Sequence, residues 1–419
     1  MIITLSNGFA QIERKSTKDS LLKEWSKLDT FQKRKTQAVP EFAFNAVLIW
    51  DGEIVSSKRG GFADRERSLI LDNKTIYPWA SISKMFTSVA ILRLIERGKI
   101  NIADPVIKYL PELKEAKSKY GSFDQVKIFH LINHTSGLDW RPLGDTLKAK
   151  YNTPKQRKTW KAIQPNLKYI TLMRKPGSKY AYNNGAYSLL GRVIANVTGE
   201  SFTQYITRNI FKPLGMKTAH FGKSPEKLFQ NLASSYLRKK NDSLITTKTN
   251  ISHGLHEANG GVKASLEDML KFMDFLRFRK RKQYLKDYNK VLSWKTIKKY
   301  YHEVDLEEPQ IKYSLMYKNK EGATSRAFGF LHSQVFNSKL KLFGHTGYFE
   351  EYQSLYLVRT DIPLAVILMV NNSGESGTKD YIISNSLYRS IINFISRNHL
   401  NLNFYDWEKA FKKLEDNKD

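Results

Sequence analysis

The sequence contains no cysteine, and this absence excludes several kinds of chemistry. Disulfide bonds, catalysis by a thiolate and zinc sites with cysteine ligands all require a residue that is missing. The redox compartment stays open, because a chain without cysteine is compatible with any. The sequence also has no run that approaches the ~20 apolar residues of a membrane-spanning helix. We therefore expect no transmembrane segment.

Acidic residues are scarce, with 40 Asp and Glu against 69 Lys and Arg, and the formal charge is +29. Such an excess determines the electrostatic field and the partners rather than the fold. Three segments concentrate it: 148–161, 238–240 and 277–299. The simplest interpretation is a solvated helical face. The alternatives are attraction to an anionic polymer or membrane surface of the cell envelope, and nucleic-acid binding by the aromatic residues interleaved in the last segment.

The N-terminus has features of a secretion signal. Met1 to Leu5 is apolar, and small residues at Gly8 and Ala10 precede Gln11 in the manner of a signal-peptidase site. One hypothesis is that Met1 lies inside a signal peptide that begins upstream, which predicts a periplasmic or otherwise extracytoplasmic protein. The alternative is an ordinary N-terminus, and a cytoplasmic protein if Met1 is the true start.

The pattern of strands and helices predicts an α+β fold. At 419 residues the chain is long for one core, so two subdomains around a shared cleft are expected. Asp51-Gly52 separates two β-rich runs and predicts a hairpin. β-Rich runs return late, and a helical middle lies between. The predicted strands are Phe42–Trp50, Glu53–Phe62, Ser333–Phe343, Tyr352–Val358 and Leu364–Val370.

Strands from both ends of the chain predict one antiparallel sheet with a helical insertion. We assign 1–40 to an N-terminal segment, with a signal-peptide remnant at 1–10 and then a leading helix. Residues 41–100 and 300–400 form the sheet subdomain. Residues 101–299 form the helical subdomain, and 401–419 form a polar tail.

Ser81 and Lys84 form a Ser-x-x-Lys motif at the start of a strongly apolar helical pattern. The same spacing occurs at Ser20, Ser224, Ser338 and Ser376, so context distinguishes this copy. Residues three apart share a helix face, and the amine can therefore reach the hydroxyl. A buried amine that loses its proton near neutral pH can activate the serine. The competing interpretation is a helix cap beside an exposed lysine.

Two further motifs follow in order and favour catalysis. Tyr182-Asn183-Asn184 lies in a loop that enters a helix, and a tyrosine beside a cationic lysine is expected to have a lowered pKa and to transfer protons. Asn184 can orient Lys84 and bind substrate. His345-Thr346-Gly347 ends a β-run, where glycine allows close approach of substrate. The N–H of Tyr348, together with that of Ser81, could form an oxyanion hole.

These three motifs resemble the serine β-lactamase and penicillin-binding-protein superfamily, in its branch of class C β-lactamases, DD-peptidases, D-aminopeptidases and esterases. The resemblance extends from about Phe42 to Ile395. Supporting segments are Asp104-Pro-Val-Ile-Lys-Tyr-Leu-Pro-Glu112, His134-Thr-Ser-Gly-Leu138, Pro213-Leu-Gly-Met216 and Gly260-Gly-Val-Lys-Ala-Ser265.

The resemblance implies a five-stranded antiparallel sheet flanked by helices, with a mostly helical inserted subdomain. It implies Ser81 as nucleophile, Lys84 as base and Tyr182 as second base and proton shuttle. It also implies that Asn184, His345, Thr346 and Gly347 contact the substrate. No cofactor or metal is implied, and the spacing of His130 and His134 lacks the glutamate of a zinc-protease motif.

One departure bears on the substrate. The family's β-lactamases and DD-peptidases usually have lysine at the position of His345, and a histidine is mostly neutral at pH 7. Weaker recognition of a substrate carboxylate follows. The sequence therefore predicts a hydrolase of small esters or peptides, including peptides with D-amino acids or from the cell wall, with poor β-lactam turnover. Alternatives are a class C-like β-lactamase, a DD-carboxypeptidase, and an acylated sensor or pseudoenzyme. The oligomeric state stays open.

Overall fold

The computed structural model describes residues 17–39, 42–248, 250–277, 282–306, 308, 311–318, 322–335 and 340–396. Within them the main feature is an antiparallel sheet of eight strands in the order β3-β4-β5-β6-β7-β8-β1-β2. The strands are β1 Phe44–Trp50, β2 Glu53–Gly60, β3 Leu315–Lys318, β4 Gly322–Ala327, β5 Phe330–Val335, β6 Lys341–Phe349, β7 Tyr352–Arg359 and β8 Leu364–Val370.

The α+β prediction is confirmed, and the prediction of five strands is wrong. β3, β4 and the first half of β5 were not predicted, because β3 has only four residues and Thr324, Ser325 and Arg326 of β4 do not form an apolar alternation. The predicted run Ser333–Phe343 contains the end of β5 and the start of β6. The observed sheet therefore extends beyond the predicted one at the edge that contains β3 and β4.

Strands from the two ends of the chain pair with each other inside the sheet, next to the edge strand β2. β1 pairs with β8 from Phe44↔Val370 to Trp50↔Leu364, as an antiparallel sheet closed by both termini requires. β1 also pairs with β2 through the predicted turn, in which Asp51 and Gly52 both have positive φ, 60° and 82°. Such angles are typical of a tight hairpin turn.

Both faces of the central strands are covered, so their residues form apolar runs. One face packs on α1, Lys27–Ala38, and α5, Lys379–Ser396. The other packs on α2, Ser83–Glu96, and its neighbours α3, Asn184–Thr198, and α4, Leu266–Arg277. Other described helices are Ile128–Ile132, Arg141–Lys150, Pro154–Arg157, Trp160–Ile163, Phe202–Ile206, Glu226–Phe229, Glu257–Gly260, Lys282–Val291 and Trp294–Ile297. Short strands are Phe62–Asp64, Leu69–Ile70, Tyr77–Pro78, Leu138–Asp139, Thr171–Leu172, Ser235–Arg238, Leu244–Thr247, Lys263–Ala264 and Asn372–Gly374.

Local sequence explains where the site-bearing helices begin and end. The side chain of Asn183 accepts a hydrogen bond from the N–H of Ala186 at 3.0 Å and caps α3. Gly199 ends α3 with φ of 71°, a conformation that glycine adopts without strain. α2 is buried from Ser83 to Leu94, so it packs as a central helix.

The domain division stays a prediction. The signal-peptide remnant and the polar tail lie outside the described residues. Among the helices that the structure describes, none has both the length and the hydrophobicity needed to cross a membrane.

The last basic segment does not present its aromatic residues for base stacking where the structure describes them. Tyr288 is 7% exposed and packs in the core, with its hydroxyl donating to Asp274. Trp294 packs partly buried against the same core. Phe278 lies outside the described residues. The solvated-face interpretation is therefore favoured for this segment.

Candidate active site

Ser81 lies in a helical turn, Ala80–Ile82, that leads directly into α2. The preceding residue, Ala80, has φ of 48°, an uncommon value for a residue with a side chain. Two contacts stabilise this turn: the N–H of Trp79 donates to the carbonyl of Val262 at 2.9 Å, and Ser83 accepts from the N–H of Val262 at 2.9 Å. The structure thus holds a partly exposed serine at the mouth of a buried helix.

Lys84 is buried one turn further along α2, with 0% exposure. Its Nζ lies 3.1 Å from Oγ of Ser81 and donates to the backbone carbonyl of Asn259 at 2.7 Å. The amine also lies 5.0 Å from the ring centre of Tyr182. Burial lowers the pKa of Lys84 well below 10.5, and the positive charge of Arg326 lowers it further. This environment favours the neutral amine that can accept a proton.

Tyr182 lies between Ser81 and the third motif. Its hydroxyl forms a hydrogen bond with Ser81, and its ring centre is 6.4 Å from that of His345. The expected lowered pKa is wrong: desolvation raises the pKa of Tyr182, although the bond to Ser81 and the charge of Arg326 oppose the increase. The reason is that desolvation of the phenol outweighs both of these lowering effects. Tyr182 is therefore protonated at neutral pH.

Asn184 does not hold Lys84. It is the exposed first residue of α3, because Asn183 takes the capping position, and no hydrogen bond joins it to Lys84 in the described part of the chain. The carbonyl of Asn259 takes that role instead. Sequence reasoning missed Asn259, although it directly precedes the quoted Gly260-Gly261 segment. A role for Asn184 in substrate binding stays a prediction.

The third motif lies within β6 rather than at its end, and His345 is only 1% exposed. Nη1 of Arg326 donates to Nε2 of His345 at 2.8 Å, so the imidazole proton lies on Nδ1, 2.5 Å from the carbonyl oxygen of Thr346. Burial, Arg326 and Lys84 hold the pKa of His345 well below 6.5. The predicted neutral histidine is consistent with this environment.

Arg326 is the main residue that sequence reasoning missed. It lies on β4, contacts His345, donates to Oγ1 of Thr346 at 3.4 Å, and has its Cζ 5.1 Å from the ring centre of Tyr182. A permanent positive charge therefore lies directly beside His345. No motif marks it, since its placement depends on the register between β4, β5 and β6.

Thr346 and Gly347, the other residues of the third motif, line a cavity. β5 pairs with β6 only as far as Gly344, so residues 345–349 have a paired strand on one side alone. A Cβ at Gly347 would collide with the carbonyl of Trp79 and the hydroxyl of Ser354, which shows how closely β6 approaches the Ser81 turn. Thr346, Gly347 and Tyr348 line a cavity of about 290 Å³ together with Tyr381 and Tyr388 of α5.

Among the described residues, the N–H of Ser81 makes no backbone hydrogen bond outside its own helical turn, as an oxyanion donor requires. No group of three or more potential metal ligands occurs among the described residues. A larger cavity of about 890 Å³, which includes Trp160, Arg192 and Phe202, contains none of the predicted site residues.

Solved structures define the class of fold. The octameric penicillin-binding protein homologue from Pyrococcus abyssi is 24% identical, with a TM-score of 0.66 over 88% of this chain and 77% of that chain. The D-amino acid amidase from Ochrobactrum anthropi SV3 is 18% identical, with a TM-score of 0.64 over 88% of this chain and 99% of that chain. The fold is therefore that of penicillin-binding-protein-like and amidase enzymes.

Sequence comparison identifies the family. A family model described as Beta-lactamase matches residues 31–385, and the chain belongs to the Beta-lactamase family. The PbpX protein of Bacillus subtilis (strain 168) is 34% identical over 191 residues, which are 44% of this chain and 43% of that protein. The match thus spans less than half the length of that relative. The resemblance seen in the motifs is therefore confirmed at the level of the family.

Proposed function

We propose that this protein hydrolyses an ester or a peptide bond through an acyl-enzyme on Ser81. The observation that carries the proposal is the 3.1 Å contact between Oγ of Ser81 and the amine of Lys84, whose pKa is lowered by burial. A hydroxyl beside an unprotonated amine is the arrangement that nucleophilic catalysis by serine requires.

The steps follow from these positions. Oγ of Ser81 attacks the carbonyl carbon while the neutral amine of Lys84 accepts the hydroxyl proton. The tetrahedral oxyanion receives hydrogen bonds from the N–H groups of Ser81 and Tyr348. The C–O or C–N bond then breaks, and the leaving group takes a proton delivered through Tyr182. Water attacks the acyl-Ser81 carbonyl with loss of a proton to the same groups, and Oγ departs as it is reprotonated.

A second candidate function is favoured by Arg326. The neutral His345 alone predicts weak binding of a carboxylate, but Arg326 adds a permanent cation beside Thr346. Guanidinium groups bind carboxylates through paired hydrogen bonds. Peptides with a free C-terminal carboxylate, the substrates of a DD-carboxypeptidase, and β-lactams therefore stand beside neutral esters and D-amino-acid amides as substrates to test.

We extend the proposal to the location of the protein and to the anionic polymers on which it docks. An extracytoplasmic enzyme would meet cell-wall peptides and the D-alanyl esters of anionic polymers. The net charge of +29 would attract such polymers electrostatically. A protein that is acylated without turnover remains the competing non-enzymatic function.

The test is a substrate panel assayed with wild type, Ser81→Ala and Ser376→Ala. The panel contains p-nitrophenyl acetate, a D-alanine anilide, an acylated D-alanyl-D-alanine peptide and nitrocefin. Ser376 is an exposed serine of another Ser-x-x-Lys sequence and is the matched control. We expect Ser81→Ala to lose at least about 1000-fold in kcat and Ser376→Ala to retain full activity.

Two results would contradict the proposal. Full activity of Ser81→Ala on the substrate that works would show that the site is elsewhere. A single stoichiometric burst of product without turnover, over the whole panel, would identify a sensor rather than a hydrolase.

A further inference from the structure

The position of Tyr182 depends on a residue outside the predicted site. His134 opens the His134-Thr-Ser-Gly137 segment, to which no chemical role was assigned. Three of its contacts with the Tyr182 loop lie on Tyr182 and the two residues beside it, in addition to an edge contact with the ring of Tyr180. These three contacts involve the backbone of the residue before Tyr182, the ring of Tyr182 itself and the backbone of the residue after it.

The three contacts have short distances. The carbonyl oxygen of His134 accepts from the N–H of Ala181 at 2.8 Å. Nδ1 of its ring accepts from the N–H of Asn183 at 3.0 Å. Between these bonds, the imidazole stacks on the ring of Tyr182, with the ring centres 4.4 Å apart and the planes 29° apart. One residue thus contacts the backbone on both sides of Tyr182 and also a face of its ring.

The burial, backbone conformation and protonation state of His134 are compatible with these three contacts. The residue is 2% exposed and has φ of 56°, a left-handed conformation that histidine, asparagine and aspartate adopt more often than other residues with a side chain. Because Nδ1 accepts from Asn183, the ring proton lies on Nε2. Burial, with the charges of Lys84 and Arg326, holds the pKa of His134 well below 6.5, so the imidazole is neutral and keeps Nδ1 free to accept.

We infer that His134 is a positioning residue that sets the location of the Tyr182 hydroxyl against Ser81. The inference rests on the proposed function, in which Tyr182 transfers the proton to the leaving group. It requires His134 to act only through Tyr182. A residue that merely stabilised the fold would lower activity whether or not the tyrosine hydroxyl were present.

The test is a double-mutant cycle with p-nitrophenyl acetate. His134→Phe keeps a flat ring and removes the acceptor for Asn183, whereas His134→Asn keeps an acceptor, tolerates the left-handed backbone and removes the stack. Each is combined with Tyr182→Phe. The control is His130→Asn: His130 is also buried and its Nδ1 also accepts a backbone N–H, but from Lys127 in its own helix start.

We expect His134→Phe and His134→Asn each to lower kcat by about 10-fold to 100-fold, with KM changed less than about twofold. In the Tyr182→Phe background the same changes should lower kcat less than about twofold, because the group they position is already absent. His130→Asn should leave kcat unchanged in both backgrounds. If His134→Phe does not fold, His134→Asn carries the same comparison.

Equal losses in the two backgrounds, or wild-type kcat in both His134 variants, would overturn the inference. Its failure is distinguishable from failure of the proposed function. Activity retained in Ser81→Ala would refute the function itself. An inactive Ser81→Ala with additive His134 effects would refute the positioning role alone.

Discussion

Replacing Arg326 with glutamine should move the acidic limb of the pH–rate profile to higher pH. Arg326 lies beside the third motif, and its positive charge lowers the pKa values of Lys84, His134 and His345. A neighbouring positive charge disfavours a protonated amine or imidazole. Removing that charge therefore raises the pKa of each of these groups, and a more basic solution is needed to deprotonate them.

The size of the shift follows from the geometry. Nζ of Lys84 and Cζ of Arg326 are 5.0 Å and 5.1 Å from the same ring centre, that of Tyr182, so they are no more than about 10 Å apart. At an effective dielectric constant of about 20 this separation corresponds to roughly 1.7 kcal/mol. One pKa unit corresponds to about 1.4 kcal/mol. Allowing for screening, the limb should move by about one unit.

The assay is kcat/KM for p-nitrophenyl acetate between pH 5 and 10, because this neutral ester has no carboxylate for Arg326 to bind. Arg326→Lys keeps the charge and is the matched control, and its limb should stay near that of wild type. A carboxylate-bearing peptide should lose additional kcat/KM with glutamine. An unshifted limb in Arg326→Gln, or an equal shift in Arg326→Lys, would refute the electrostatic reasoning.

Two further predictions concern stability. Lys84→Met should abolish turnover and raise the free energy of unfolding at pH 7 by about 1 to 3 kcal/mol, because a buried amine is replaced by an apolar chain of similar volume. The pKa of Lys84 is lower in the folded than in the unfolded state, so the destabilisation caused by burying the amine decreases as the pH rises toward 10.5. In urea unfolding, the increase in stability given by Lys84→Met should therefore be smaller at pH 10.5 than at pH 7. An increase that is the same at both pH values would contradict this reasoning. Gly347→Ala should lower both the unfolding midpoint and the activity, because its Cβ would meet the backbone of Trp79 and the hydroxyl of Ser354. The control is Gly98→Ala, whose Cβ would have open space around it. This variant should lose some stability because of its φ of 66° and should keep its activity. Circular dichroism and ester hydrolysis on both variants provide the comparison, and an active, stable Gly347→Ala protein would show that β6 does not constrain the Ser81 turn.

Much of the fold was predictable because it depends on local pattern. The Asp51-Gly52 turn, the apolar run of α2 and the Gly199 stop of α3 each follow from residues adjacent in sequence. The strands β3 and β4 at the edge of the sheet are different. β3 has only four residues, and the polar residues Thr324, Ser325 and Arg326 interrupt β4, so the local pattern underestimated the number of strands.

The candidate site also combines features that the local sequence predicts with contacts that depend on the tertiary structure. The sequence alone determined the Ser81–Lys84 pair, because a spacing of three residues on a helix fixes their proximity, and the order of the motifs determined the family. Only the tertiary structure decided which groups surround that pair. Asn259 replaces Asn184 at the Lys84 amine, Arg326 joins His345, and His134 stacks on Tyr182. These contacts join residues far apart in the chain. Desolvation reversed the expected pKa shift of Tyr182, because it depends on what packs around a group and not on its neighbours in sequence.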